Sequence, residues 1–360
     1  MATNITYLLG AGASYNALPV VEGISNSLAG FANEFDPGKR EHIDTKYEYN
    51  NPIKKHLSKN INDFEKAKNF HADIIWLKNE TENHTSIDTF AKKLYLQDKE
   101  TDLKKLKYIL SCFFIYEQTF KFDKRYDSFF ASVLDSLSEI PTNLKILSWN
   151  YDSQLEIAFS NFSNQTIEKS REVLNIFSKG NQIDSSKTNL NNTFNVFKVN
   201  GTTSIRDKEN KNYDLILDYS VDKVKLVSSF LEIYSNRTLF STHEPNMSFS
   251  WENFNENQKF YSDLRKSIEN TDILIVVGYS FPFFNRKIDE FILHSMDNLK
   301  KIYVQDPYNA DDIISKIKEM VPWRESFYHI GKDGLNATTK DTIKFIPIIF
   351  DKQFFIPIEF

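Results

Sequence analysis

Five short runs of apolar, mostly β-branched residues constrain what this chain of 360 residues can fold into. Runs of this length and composition are typical of strands that are buried on both faces of a sheet. They are spread over the whole sequence, at Ile5–Leu9, Lys145–Trp149, Asn195–Val199, Asp272–Val277 and Lys301–Val304. Helical spacing of apolar residues fills much of the sequence between them, at Ser86–Leu96, Leu103–Glu117, Tyr126–Ser138 and Glu256–Ile268. Alternating strands and helices predict an α/β fold with a mainly parallel, Rossmann-like sheet covered on both faces.

The spacing of the predicted strands also predicts how the chain is organised. The interval 22–141 is too long for one crossover connection, so we expect a largely helical inserted subdomain within a domain that spans 1–360. A second, polar interval at Ser163–Asn192 is expected to be an excursion outside the core. The apolar segment 342–360 contains Pro347 and Pro357, which favours either edge strands or an interface tail.

Composition excludes several classes of protein. The net charge of −5 gives no basic field for direct binding of nucleic acid. Cys112 is the only cysteine, so the chain cannot form an internal disulfide or a cysteine-rich zinc site, and no other cluster of metal ligands is evident. We find neither the pattern of a secretory signal nor an apolar run long enough to span a bilayer. These features predict a cytoplasmic protein with no metal and no membrane partner.

Four short polar or glycine-containing stretches follow predicted strands, where ligands collect in an open α/β sheet. A bend of small residues follows the first strand, and such a bend lets backbone amides approach a phosphate. Each stretch alone could be an ordinary strand end. The four stretches are Gly10-Ala11-Gly12-Ala13-Ser14, Asn150-Tyr151-Asp152, Asn200-Gly201 and Gly278-Tyr279-Ser280.

Taken in this order, the four stretches resemble the motifs of the SIR2-like, or sirtuin-type, NAD-consuming family, and in particular its zinc-free bacterial anti-phage subgroup. The resemblance implies a Rossmann-like SIR2 fold that binds NAD as its substrate. It assigns the pyrophosphate to the bend Gly10–Ser14, the ribose and nicotinamide to Asn150 and Asp152, and completion of the crevice to Gly278, Tyr279 and Ser280. Asp306, after the last predicted strand, would accept hydrogen bonds from the adenosine ribose, or it could cap a turn.

One departure from the family pattern bears on the chemistry, because the family's His-Gly reads Asn200-Gly201 here. Asparagine cannot act as a general base, which argues against protein deacetylation. Hydrolysis of the nicotinamide–ribose bond demands less, because nicotinamide leaves as a neutral group. We therefore expect an NAD glycohydrolase in which Asn150 orients water or a ribose hydroxyl, Asp152 accepts from the carboxamide and Asn200 holds the ribose.

The resemblance also implies regulation. An enzyme that consumes cellular NAD must be restrained, so we expect a gated effector of anti-phage defence that forms a homo-oligomer or binds a sensor or activator subunit. One alternative is a catalytically weak sensor or scaffold that binds NAD or ADP-ribose, and another is ADP-ribosyl transfer to a macromolecule. His71, His84 or His243 could replace the missing base. Asp88 could lie near the cleft, but Ser86 followed by Asp88 is better explained as a helix cap.

Overall fold

The computed structural model describes residues 2–20, 23–36, 38, 51–137, 139–179, 189–207, 214–215, 222–235, 243–252, 257–321, 327–331, 334–338 and 343–360. The helices in these ranges are α1 (Ile24–Phe35), α2 (Pro52–Lys59), α3 (Ile61–Asn83), α4 (Ile87–Leu96), α5 (Glu100–Phe120), α6 (Lys124–Val133), α7 (Gln154–Ser163), α8 (Ile167–Val173), α9 (Lys223–Ser235), α10 (Gln258–Ile268), α11 (Arg286–His294) and α12 (Ala310–Met320). The strands are β1 (Ile5–Leu9), β2 (Leu144–Ser148), β3 (Ile176–Ser178), β4 (Asn195–Lys198), β5 (Gly201–Asp207), β6 (Asp214–Leu215), β7 (His243–Met247), β8 (Ile273–Val277), β9 (Lys301–Gln305), β10 (Phe327–Gly331), β11 (Gly334–Thr338) and β12 (Lys344–Ile348).

Seven of these strands form one sheet in the order β12-β9-β8-β1-β2-β4-β3. Every neighbouring pair in it is parallel. The strand order reverses at β1, because the chain adds β2, β4 and β3 on one side of it and β8, β9 and β12 on the other. The fold is α/β and Rossmann-like, as the sequence predicts. In such a sheet the crevice for a ligand opens outside the carboxyl ends of the strands where the order reverses.

Helices cover both faces of the sheet. On one face, Leu8 and Val276 belong to an apolar core that also contains Leu264 of α10, Ile292 of α11 and Ile313 of α12. On the opposite face the ring of Tyr7 lies 5.2 Å from the ring of Phe129 in α6. Every residue of β1, β2 and β8 is buried. Burial on both faces is the reason why these strands read as continuous apolar runs in the sequence.

The chain divides into two compact units. The first unit consists of Met1–Tyr15, Asp123–Gly201 and Phe249–Phe360 and contains the seven-stranded sheet. The second consists of Asn16–Phe122 and Thr202–Ser248 and contains α1–α5, α9 and a small sheet in the order β6-β5-β7. Its interior includes a cluster of edge-to-face or tilted rings from Phe31, Phe35, Phe70 and Tyr234. The expected boundaries of an insertion, 22–141, stay a prediction.

The five predicted strands are all present in the sheet, and each of their ends lies within one residue of the predicted end. The expectation that Ser163–Asn192 lies outside the core is wrong for part of that interval, because it contains α8 and the buried sheet strand β3. Residues 180–188 of the interval lie outside the described residues. At the opposite edge of the sheet, β12 includes Pro347, which an edge strand tolerates.

Candidate active site

The bend that follows β1 is a 3-10 turn over Ala11–Ser14. Three amides of this region donate to carbonyls of the fold: Gly10 N to Val277 O (3.0 Å), Gly12 N to Gly278 O (2.9 Å) and Ala13 N to Gly10 O (2.8 Å). Ala11 is exposed and is the first residue of the turn, so its amide has no acceptor within the turn.

The small residues of the bend also have a structural cause. A Cβ atom on Gly10 would lie 2.6 Å from the carbonyl oxygen of Gly278. A Cβ atom on Gly12 would lie 2.7 Å from the Cα of Gly278. Gly278 itself has φ +57°, and its Cβ would lie 2.4 Å from the Gly12 backbone. The bend and the end of β8 therefore pack backbone against backbone, which only glycine allows. Sequence reasoning left two explanations for these glycines, ligand approach and an ordinary strand end, and did not predict this backbone contact.

Ser14 connects three candidate residues in the first unit. Its side chain is buried, and its hydroxyl lies 2.9 Å from the hydroxyl of Tyr126. The Asn150 amide donates to the carbonyl of Gly10 at 2.8 Å and to the Ser14 hydroxyl at 3.3 Å. Ser14 also lowers the pKa of the buried Asp152 carboxyl. A hydroxyl donates one bond and accepts two, so Ser14 keeps capacity for one more partner beside Tyr126 and Asn150. The structure thus brings Ser14, Asn150 and Asp152 together.

Asp152 is the residue of these three whose side chain can carry a charge. Burial raises the pKa of its carboxyl, and the nearby ammonium of Lys198 opposes that rise. The backbone amide of Gln154 donates to its Oδ1 at 3.0 Å, which places Asp152 just before the first turn of α7. A carboxylate has about four acceptor positions, so Asp152 keeps capacity for a ligand donor after these bonds.

Asn200 lies just beyond the end of β4, beside the Asn150 segment because β4 pairs with β2. Its Nδ2 donates to the carbonyl of Trp149 at 3.2 Å, which fixes the orientation of the amide. Its Oδ1 is buried and accepts no hydrogen bond from the described part of the chain. The next residue, Gly201, has φ +76°, a conformation that favours glycine. The site therefore holds a buried acceptor that suits a donor such as a ribose hydroxyl.

The Gly278-Tyr279-Ser280 stretch lies at the end of β8, where the structure gives its members different surroundings. The Tyr279 side chain is buried, and its hydroxyl is 3.0 Å from both carboxyl oxygens of Asp289. Its ring stacks on Trp149 with centroids 5.6 Å apart. Ser280 is exposed. Tyr279 thus shapes the strand end through packing, whereas Ser280 is accessible to a ligand.

Asp306 follows β9, as expected, and its Oδ1 accepts from the amides of Tyr308 at 3.0 Å and Asn309 at 2.7 Å. These bonds close the turn that leads into α12, so the capping role considered from the sequence is present. A role for Asp306 beside a ribose stays a prediction.

Sequence reasoning missed an arginine that supports the bend. Arg125 in α6 is buried and pairs with Asp123 at 2.6 Å. Its Nη2 also donates to the carbonyls of Gly12 at 3.0 Å and Ala13 at 2.9 Å. The pattern of the sequence gives no signal for these contacts, because the partners are backbone atoms more than 100 residues away.

Sequence reasoning also missed an ion pair beneath the site. Lys198 and Glu156 are both almost completely buried, and Lys198 Nζ lies 3.2 Å from Glu156 Oε2. A signal for this pair was present, because a lysine within a run read as a buried strand requires a partner.

The histidines considered as substitutes for the family base belong to the second unit. His84 Nδ1 lies 2.8 Å from the carbonyl oxygen of Glu80, and its ring lies 4.9 Å from the ring of Phe90. His71 lies within α3. His243 begins β7, but its side chain is outside the described part of the structure. A catalytic role for any of them stays a prediction.

The helix cap predicted at Ser86 is confirmed, because its hydroxyl accepts from the amide of Thr89 at 3.2 Å. Asp88 lies in the first turn of α4, and burial raises the pKa of its carboxyl to about 6. Within the described ranges, no group of three or more His, Cys, Asp or Glu side chains is arranged to hold a metal ion. Nor does any helix of those ranges have the length and apolarity to cross a membrane.

Fold and site together define a Rossmann-like α/β protein with a buried polar cluster at the carboxyl edge of its sheet. No protein-family model matches the sequence, and no curated protein matches it either.

Proposed function

We propose that this protein is a SIR2-like NAD glycohydrolase that releases nicotinamide and ADP-ribose. The observation that carries the proposal is the buried group of Ser14, Asn150 and Asp152 beside Asn200. On the neighbouring strand end, the Oδ1 of Asn200 accepts no hydrogen bond from the described residues. These residues belong to the motifs that resemble the family. They also lie where an open parallel sheet binds ligands.

The proposed reaction needs few groups from the protein. The bond between C1′ of the ribose and the nicotinamide nitrogen breaks, its electron pair leaves with nicotinamide, and water adds to C1′ and loses a proton. Asn200 Oδ1 accepts from a ribose hydroxyl, and the Asp152 carboxylate accepts from the carboxamide. Asn150 is held by Gly10 and Ser14, so its amide is fixed before substrate arrives. Fixed polar groups in a buried pocket stabilise developing charge without reorganisation.

The proposal extends to regulation by the same resemblance. Uncontrolled hydrolysis would exhaust cellular NAD, so the activity is gated by a homo-oligomer or by a sensor or activator subunit. In that role the protein acts in the cytoplasm as an effector of anti-phage defence. Asn200 supports a second candidate, because asparagine replaces the family's base. In that case the protein binds NAD or ADP-ribose as a sensor or scaffold and turns it over very slowly.

Nicotinamide release from NAD by the purified protein, alone and with the protein encoded beside it, tests the proposal. Asn200→Ala removes the buried acceptor and lowers the rate by about tenfold, the effect of one lost hydrogen bond. Asn200→His restores the residue of the family and raises the rate by about 10²-fold. The matched control is Asn195→Ala at the opposite end of β4, where the amide donates to Leu190 O (2.7 Å) and Ser267 Oγ (3.0 Å).

The folded fraction of the control releases nicotinamide at the rate of the unmodified protein. If neither the unmodified protein nor Asn200→His releases nicotinamide in any mixture while calorimetry detects NAD or ADP-ribose, the sensor function replaces the hydrolase. Absence of both release and binding rejects the site.

A further inference from the structure

The first unit contains a buried ion pair, Lys198 and Glu156, next to the candidate site. Lys198 is the last residue of β4 and Glu156 lies in the first turn of α7, and both side chains are almost fully removed from water. Burying two charges is costly, and a well-packed apolar pair of similar volume is commonly as stable. Stability alone therefore does not account for this pair.

The contacts of Lys198 reach the candidate site directly. Its ammonium donates to the backbone carbonyl of Asp152 at 2.6 Å and lies 3.2 Å from Glu156 Oε2. One residue beyond Lys198 the amide of Val199 donates to the carbonyl of Ser148, so β4 and the end of β2 are joined on both sides of the lysine. The ammonium thus holds the Asn150–Asp152 segment by its backbone.

The pair also sets the charge around the Asp152 carboxyl. The positive charge of Lys198 lowers the pKa of Asp152, and the negative charge of Glu156 raises it by a smaller amount. Among the described residues, Tyr126 of α6 also faces Asp152; burial raises its pKa well above the usual value, so it is neutral at physiological pH. Arg125 of the same helix is paired with Asp123, the residue that caps the helix.

We propose that Lys198 and Glu156 are a positioning pair: Lys198 fixes the Asn150–Asp152 segment through the Asp152 carbonyl and supplies the counter-charge of the Asp152 carboxylate, and Glu156 holds Lys198 in place. The inference deepens the proposed function, on which its consequence for catalysis rests. Neither residue touches the substrate. Both act through Asp152.

Two variants separate positioning from simple support of the fold, because they move the titration of Asp152 in opposite directions. Glu156→Gln keeps the shape of the side chain and removes a negative charge, so the pKa of Asp152 falls. The double variant Lys198→Met/Glu156→Gln removes both charges and leaves no unpaired ion, so the pKa rises because the larger influence of Lys198 is lost. We expect shifts of about one pH unit, the lower range for a neighbouring charge.

The measurement is a pH titration of the Asp152 carboxyl by ¹³C NMR, assigned with Asp152→Asn, together with the pH profile of kcat/KM for nicotinamide release. Lys145→Met is the matched control. Lys145 is also a buried lysine of the sheet, but it lies at the opposite end of β2, where it donates to the carbonyls of Thr142 and Thr193. Its removal leaves the Asp152 titration unchanged.

Opposite shifts in the two variants, with a parallel movement of the acid limb of the kcat/KM profile, support the positioning pair. Shifts in the same direction, or none, overturn it and leave Lys198 and Glu156 as fold residues. If the double variant does not fold, the Glu156→Gln variant alone decides: a lower pKa of Asp152 supports the positioning pair, and an unchanged pKa overturns it. Absence of nicotinamide release from the unmodified protein and from Asn200→His in every mixture rejects the proposed hydrolase, whereas the NMR titration still tests the pair.

Discussion

At the scale of single residues, two separate causes can require glycine in the candidate site: approach of a ligand and close packing of the backbone. A bend of small residues after the first strand predicts close approach of backbone to a phosphate. The structure adds that Gly10, Gly12 and Gly278 are needed because two strand ends meet backbone to backbone. Sequence alone cannot separate the two causes, since both require the absence of a side chain.

Gly278→Ala tests the packing cause. The substitution places a Cβ 2.4 Å from the Gly12 backbone at a residue with φ +57°. Backbone strain and overpacking together lower the free energy of unfolding by about 2–5 kcal/mol. Urea denaturation measures this loss. The control is Gly30→Ala in α1, where the added Cβ meets nothing within 4 Å and the change stabilises a helix by about 0.5–1 kcal/mol. Equal effects at the two positions would contradict the packing argument.

At the scale of elements, the strands of the sheet could be predicted because burial on both faces makes each of them a continuous apolar run. Ile5–Leu9 is an example with the predicted ends. The three-residue strand β3 could not be predicted, since Ile176-Phe177-Ser178 is too short to show a period and follows a polar helix. Site residues such as Asn150 and Asn200 could be predicted because the apolar runs locate the strand ends that these residues follow. Arg125 was not, because its contacts with Gly12 and Ala13 depend on the packing of α6.

Arg125 joins three segments that are distant in the sequence. In addition to its hydrogen bonds with the bend, the guanidinium of Arg125 lies 4.3 Å from the centre of the Tyr15 ring and 5.5 Å from the centre of the Phe354 ring. Arg125→Lys loses the planar fork that contacts Asp123 and the two carbonyls at once, which lowers the free energy of unfolding by about 3 kcal/mol. Hydrogen exchange of the Phe355 amide, which donates to Gln305 at 2.9 Å, becomes faster.

The matched control for that change is Arg286→Lys, at an exposed arginine of α11 that pairs with Glu290. Exposed pairs contribute little, so the control loses less than about 0.5 kcal/mol. An Arg125→Lys variant as stable as this control, with unchanged exchange at Phe355, would show that the bend and the C-terminal segment do not depend on Arg125.

At the scale of the whole molecule, carboxyls with a raised pKa occur in both units. Burial raises the pKa of Asp152 and of Asp289 in the first unit, and it raises the pKa of Asp88 in the second unit to about 6. The composition shows only an excess of acids over bases and could not predict which acids have a raised pKa. The raised values make the folded chain bind more protons than the unfolded chain under mildly acidic conditions.

Asp88→Asn isolates the contribution of one such carboxyl. An unfolded aspartate has a pKa of about 3.9, so between pH 4 and pH 6 the fold holds a proton that the unfolded chain releases. The free energy of unfolding of the unmodified protein therefore falls as pH rises through this window, by at most about 3 kcal/mol from Asp88. Asp88→Asn lacks this loss, so its stability relative to the unmodified protein rises from pH 4 to pH 6 and is constant above.

Asp127→Asn, at an exposed first-turn aspartate of α6, is the control and gives a small difference from loss of the helix-dipole contact. Denaturation curves from pH 4 to pH 8 decide, because parallel pH dependence of Asp88→Asn and the unmodified protein would mean that the Asp88 carboxyl is solvated in the folded state.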